Sequence, residues 1–174
     1  LIGDTVDTKN FFHSVNDVIN NENLRSIMPN ELTVTQVFSE LSDTILNQRD
    51  LNVGIVGLGN IGVKLSQRLV ESGISVIGLP REIGIKEITL ENFINLHKNR
   101  GAIADFRLTN SLEKLSIQAD LIILCANNSN IIHEDNFLMF SNHDLILDVG
   151  KRNVSSKASA ELRNVRWLDV TESL

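Results

Sequence analysis

The sequence predicts an α/β protein: a doubly wound parallel sheet of about six strands, a Rossmann-type arrangement, preceded by N-terminal helices. Three observations lead there. From residue 51 onward, short β-rich runs alternate with segments of helical period. Most of the runs are continuously aliphatic, as in strands covered on both faces. The first of them meets "GLGNIG", where three glycines spaced G-x-G-x-x-G separate strand-like from helix-like text.

Residues 1 to 50 read as a helical segment apart from the sheet. "TVTQVFSELSDTILNQ" puts Val34, Val37, Phe38, Leu41 and Ile45 at helical spacing, and Thr33 with Gln36 forms a capping box. A weaker amphipathic piece covers 11 to 19, and the polar stretch ending at Met28-Pro29 joins the two. The second segment, 51 to 174, holds the alternation. Its strands are expected at 52 to 57, 75 to 79, 102 to 106, 121 to 126, 145 to 150 and 165 to 170. Helices are expected near 60 to 72, 89 to 99, 111 to 118, 133 to 140 and 155 to 162.

Each fingerprint glycine has its own reason. Gly57 allows the tight turn, Gly59 lets the backbone approach a pyrophosphate, and Gly62 lets helix and strand pack closely. The free N–H groups of Asn60, Ile61 and Gly62 would face the phosphates. Ile61, Leu65 and Leu69 make the helix amphipathic, and Gly73 closes it. Two other readings stay open: a structural strand–turn–helix junction, or another nucleotide or S-adenosylmethionine in the same crevice.

The text after the second strand separates the two nicotinamide dinucleotides. An acidic residue there takes the ribose diol of NAD, whereas an arginine accepts the 2′-phosphate of NADP. The sequence reads "VIGLPRE", with no acid at Leu79 or Pro80 and with Arg81 placed to meet a phosphate. Glu82 could still turn back toward the ribose. NADP is the expected cofactor and NAD the alternative.

Composition narrows the classes. The net charge of -6 with scattered lysines and arginines argues against a nucleic-acid surface. The longest apolar run, "LIILCA", is six residues, against the roughly 20 of a membrane span. A single cysteine fits a reducing compartment, and the cytoplasm is the expected location. No His, Cys or carboxylate cluster has metal spacing, so no metal is expected. The chain opens on Leu1 and reads as a fragment or processed form of something longer.

From Val53 onward, "VGIVGLGNIG" with "VIGLPR" resembles the cofactor domain of the D-2-hydroxyacid dehydrogenases. "ADLIILCANNSNIIHEDNFLMFSNHDLILDVGKRNVSSKASAEL" is similar to that family and to glutamyl-tRNA reductase, and "LRNVRWLDVTESL" looks more like the latter. "GDTVDTKNFF" is faintly similar to the entry of shikimate dehydrogenases. The likeness covers about 120 residues, and within it only the glycine fingerprint is specific. It implies an NAD(P)-binding domain of the dehydrogenase superfamily. The substrate halves do not carry over. Where the hydroxyacid family has arginine then glycine, this chain has Lys151 and Arg152, and that family's catalytic histidine lies further downstream. The cysteine-bearing domain of glutamyl-tRNA reductase and the lysine-bearing lobe of shikimate dehydrogenase also have no counterpart here.

Ligands of such sheets bind beyond the carboxyl ends of the strands. That puts Cys125, Ala126, Asn127 and Asn128, together with Gly150 and Lys151, beside the expected nicotinamide. Asn127 or Asn128 could bond the ribose or carboxamide, or be an ordinary turn residue. Lys151 is the weak catalytic candidate, able with Arg152 to hold a carboxylate or polarise a carbonyl, or to be a solvated basic residue. Cys125 reads as a small buried hydrophobe. His133 reads as a solvent-facing first-turn residue, and His13, His97 and His143 have no partner at ligand spacing.

Taken together, the sequence points to the NAD(P)-binding domain of an oxidoreductase acting on a small carbonyl or activated acid. The substrate-bearing lobe is expected elsewhere in the parent or on a second subunit, and a homodimer is possible. The alternative is a dinucleotide-sensing or assembly module without turnover.

Overall fold

A computed structural model of the chain describes residues 29–47, 51–84, 88, 92, 104–150 and 152–167. Helix α1 spans Pro29–Asn47 and is followed by β1 Asn52–Val56, α2 Asn60–Glu71 and β2 Ser75–Leu79. Then come β3 Phe106–Leu108, α3 Leu112–Gln118, β4 Leu121–Leu124 and a 3-10 turn at Phe137–Phe140. Strand β5 Leu145–Asp148, α4 Ser156–Glu161 and β6 Val165–Trp167 complete the described elements.

Among the described residues the sheet has six strands, ordered β3-β2-β1-β4-β5-β6, and every pairing is parallel. This is the expected doubly wound Rossmann fold. The order reverses beside β1, whose neighbours are β2 and β4, so the loops after β1 and β4 part there and leave a crevice. The aliphatic runs become buried strands: all four residues of β4 and of β5 are inside.

The sheet separates two apolar layers. On one face Leu65 and Leu69 of α2 pack with Val53, Ile55, Leu121, Ile123 and Leu147. Val34, Val37 and Leu41 of α1, each fully buried, join that same layer. Glu31 of α1 bridges Lys64 and Arg68 of α2 at 2.8 and 2.9 Å. The other face carries Leu115 of α3, Phe140 of the 3-10 turn, and Ala158 and Leu162 of the α4 region, against Ile122, Leu124 and Ile146.

Four expectations need correction. Helix α1 begins at Pro29, so Thr33 lies inside the helix and is not a cap. Proline suits the first helical position because its missing N–H has no intrahelical acceptor there. Strand β3 occupies 106 to 108, beginning where the run expected at 102 to 106 ends (102 and 103 lie outside the described residues), since it is set by pairing Phe106, Arg107 and Leu108 with Val76, Ile77 and Gly78. Residues 133 to 140 do not form an α-helix. The Asn136 side chain accepts from the His133 N–H and donates to the Ile131 carbonyl, so only a 3-10 turn follows. Strands β4 and β5 end at Leu124 and Asp148, leaving Cys125, Ala126, Val149 and Gly150 in the loops. The piece at 11 to 19, the helix at 89 to 99 apart from Asn92, and the last residues expected in β6 lie outside the described residues.

Candidate functional site

Strand β1 delivers the glycine turn to the carboxyl edge of the sheet. The Gly57 N–H donates to the Leu79 carbonyl at 2.8 Å, which ties the turn to the end of β2. Gly57 has φ +93, and a Cβ there would lie 2.6 Å from the Ala126 nitrogen. A side chain is thus excluded both by conformation and by contact. A Cβ on Gly62 would overlap the Gly57 carbonyl oxygen, so helix and turn close directly on each other.

Gly59 is different. Its backbone is extended, at φ -83 and ψ -162, and a Cβ there would meet nothing within 4 Å among the described residues. It is the N-cap of α2 but offers no side-chain cap. The N–H groups of the first helical turn have no intrahelical acceptors, and with the macrodipole they favour an anion. At the other end α2 closes as the sequence suggests: Gly73, at φ +84, donates to Val70 while the Ile74 N–H donates to Leu69.

The turn opens onto a crevice of about 940 Å³. Its walls bring together Gly57, Gly59, Asn60 and Ile61 from the first loop, Arg81 from the β2 exit, and Cys125, Ala126 and Asn127 from the β4 exit. Leu58, Pro80, Glu82, Gly84 and Asn128 line it too. Of these, Leu58 and Gly84 went unremarked in the sequence; the Leu58 methyls pack where a Cβ on Gly78 would sit, joining the turn to β2. Gly62 and Gly150 stand behind the wall. A Cβ on Gly150 would overlap the Ala126 carbonyl, so Ala126 is held between Gly57 and Gly150.

Cys125 is partly exposed as a residue, but its thiol is pushed up to about 12, chiefly by burial and next by the Asp148 carboxylate. A thiol in that state is no nucleophile at neutral pH. The loop after β5 is held by a lock that the sequence did not reveal. Buried Asp148 accepts from the Asn153 N–H at 2.9 Å and the Asn153 side-chain amide at 2.6 Å. The Asn130 N–H donates to the Arg152 carbonyl, the Ile132 N–H to Asn153, and the Ser155 N–H to Ile132. The two exit loops are therefore zipped together, with Asn130 and Arg152 in the left-handed region at φ 57 and 65. The only sequence signal for this was an aspartate inside an aliphatic run.

Lys151, the weak catalytic candidate, lies outside the described residues, as do His13 and His97. Arg152 is exposed. His133 accepts the Asp135 backbone N–H at its Nδ1, at 3.3 Å, within the turn. Among the described residues no group of three or more His, Cys, Asp or Glu is placed to hold a metal ion. No described helix is long and apolar enough to cross a membrane.

Strand order, glycine turn and crevice define the Rossmann class of fold. No protein-family model and no curated protein matches the chain. Among solved structures it is similar to a D-isomer specific 2-hydroxyacid dehydrogenase from Lactobacillus delbrueckii ssp. bulgaricus in its NAD-complexed form. That match has 16% identity and a TM-score of 0.52, and covers 81% of this chain and 48% of that one. Quinate dehydrogenase from Corynebacterium glutamicum, in complex with NAD, matches at 19% identity and TM-score 0.53, covering 80% and 51%. L-tryptophan dehydrogenase from Nostoc punctiforme matches at 16% and 0.55, covering 80% and 41%. The likeness to these dehydrogenases thus holds at the level of the fold. The chain spans about half the length of these proteins or less.

Proposed function

We propose that the crevice binds a nicotinamide dinucleotide and that residues 51 to 174 are the cofactor domain of an oxidoreductase, with the preceding helices as its cover. The observation that carries this is Gly59. Among the described residues nothing requires its missing side chain, because none of them fills the space it leaves. A glycine needed only for ligand approach has this character, whereas Gly57 and Gly62 are required by the fold. The NAD-bound state of two structural neighbours supports the same reading.

In this assignment the first turn of α2, with Gly57, Gly59, Asn60, Ile61 and Gly62, holds the pyrophosphate. Arg81 meets the adenosine 2′-phosphate, which favours NADP over NAD. Cys125, Ala126, Asn127 and Gly150 border the nicotinamide end, where the neutral Cys125 thiol keeps that wall uncharged. When bound, the cofactor supplies hydride transfer, and the protein supplies position and field. The substrate is a small carbonyl compound or activated acid, presented by a further lobe or a second subunit in the cytoplasm. Lys151 is the residue of this chain assigned to its carboxylate or carbonyl.

The test is calorimetric titration of the protein with NADPH and NADH, alongside Gly59→Ala and Arg81→Ala. NADPH should bind more tightly, Gly59→Ala should abolish binding, and Arg81→Ala should erase the preference. Binding of neither nucleotide would overturn the assignment. Tight binding without oxidation of NADPH by any carbonyl substrate would favour a sensing module.

A further inference from the structure

A glycine inside a strand often marks a place where another group comes close to the backbone. Gly78 is buried within β2 and does not have a positive φ, so its own conformation makes no demand for glycine. The demand comes from its neighbours. A Cβ there would lie 2.9 and 3.3 Å from the two Leu58 methyls and 3.2 Å from Cζ of Phe106. The missing side chain thus leaves a notch in β2, bordered by buried Phe106 of β3, and the Leu58 side chain fills it.

Leu58 stands between Gly57 and Gly59, so this peg belongs to the glycine turn itself. The turn is fastened to β2 at two successive residues. Leu58 enters the notch at Gly78, and the Gly57 N–H donates to the Leu79 carbonyl at 2.8 Å. Two residues beyond Leu79 the chain reaches Arg81, on the wall of the same crevice. The turn and the β2 exit are therefore held at one spacing by contacts on β2.

We propose that Leu58 is a positioning residue: seated in the Gly78 notch, it sets the span between the phosphate-facing turn and Arg81. The inference rests on the dinucleotide reading of the crevice and names what fixes the distance between its two anion-binding points. A ligand with phosphate at both points draws on both at once only where their spacing is set beforehand. NADPH carries the two, whereas NADH meets only the turn and depends less on the peg.

Gly78→Ala is the decisive variant, because Gly78 does not line the crevice and its added methyl presses on Leu58. NADPH and NADH are titrated calorimetrically into the parent chain, Gly78→Ala, Leu58→Ala, Leu58→Met and the paired alanine variant, with folding checked by circular dichroism. Gly78→Ala and Leu58→Ala should each weaken NADPH about tenfold and NADH about threefold. Leu58→Met, which keeps the volume, should bind like the parent. The pair should bind like Leu58→Ala alone, since the new methyl then has no peg to displace. Leu58→Val, a milder truncation, should show the same inequality and decides the case where an alanine variant fails to fold. Equal losses for the two nucleotides, parental affinity in Gly78→Ala, or additive losses in the pair would each overturn the positioning role while the dinucleotide reading stands. If the parent chain binds neither nucleotide, that reading falls and the positioning role falls with it.

Discussion

Gly59 and Gly62 are three residues apart and answer to different demands. Gly62→Ala drives a methyl into the Gly57 carbonyl and should cost about 1–3 kcal/mol in urea unfolding. Gly59→Ala meets open space in an ordinary backbone conformation, so stability should change by less than about 0.5 kcal/mol. Its dinucleotide affinity should nevertheless be lost. On the proposed function, the pair separates a glycine needed by the fold from one needed by a ligand. Cys125 gives a pH prediction. Its folded thiol sits near 12 against an ordinary 9.0, so the stabilisation it contributes is full below about 9 and is lost as pH rises toward 12. Urea midpoints should fall over that range, and less steeply in Cys125→Ala. The native thiol should also resist iodoacetamide at neutral pH.

At the scale of elements, α1 belongs to the sheet's own core. Leu41 is fully buried in the layer that holds β1 and α2. Leu41→Ala should cost about 2–5 kcal/mol and move the whole unfolding transition, read by circular dichroism. If α1 melted separately, the transition of the sheet would be unchanged. Elements were legible where one periodicity ran uninterrupted, as in α2, β2 and α3. They were misread where side chains compete with the backbone. The Asn136 bonds that replace an expected helix by a 3-10 turn join residues 131, 133 and 136, and Asn is equally common in real helix starts. The shift of β3 has another cause. The run "AIADF" looks like a strand, but the β2 register places pairing at its end.

At the scale of the molecule, a ligand that binds only the folded state stabilises it by mass action. NADPH at a hundredfold excess over its Kd should raise stability by about 2.7 kcal/mol, visible as a higher melting temperature. Gly59→Ala should abolish that rise while melting like the parent without ligand.

The sequence by itself determined the doubly wound fold and the glycine turn, because both are written in local text: apolar run, three glycines, helical period. It also placed Arg81 and the Cys125–Asn127 exit near one another, since parallel strands bring their carboxyl ends to a common edge. Only the tertiary structure decided which glycines are structural, because that depends on what occupies the space beside each one. Ala126, distant in sequence, fills the space at Gly57, and none of the described residues fills it at Gly59. The Asp148–Asn153 lock joins residues only five apart, but an aspartate in an aliphatic run and a loop asparagine do not by themselves show that the loop folds back between them. A linear pattern records an element's period but not what its neighbours place beside it.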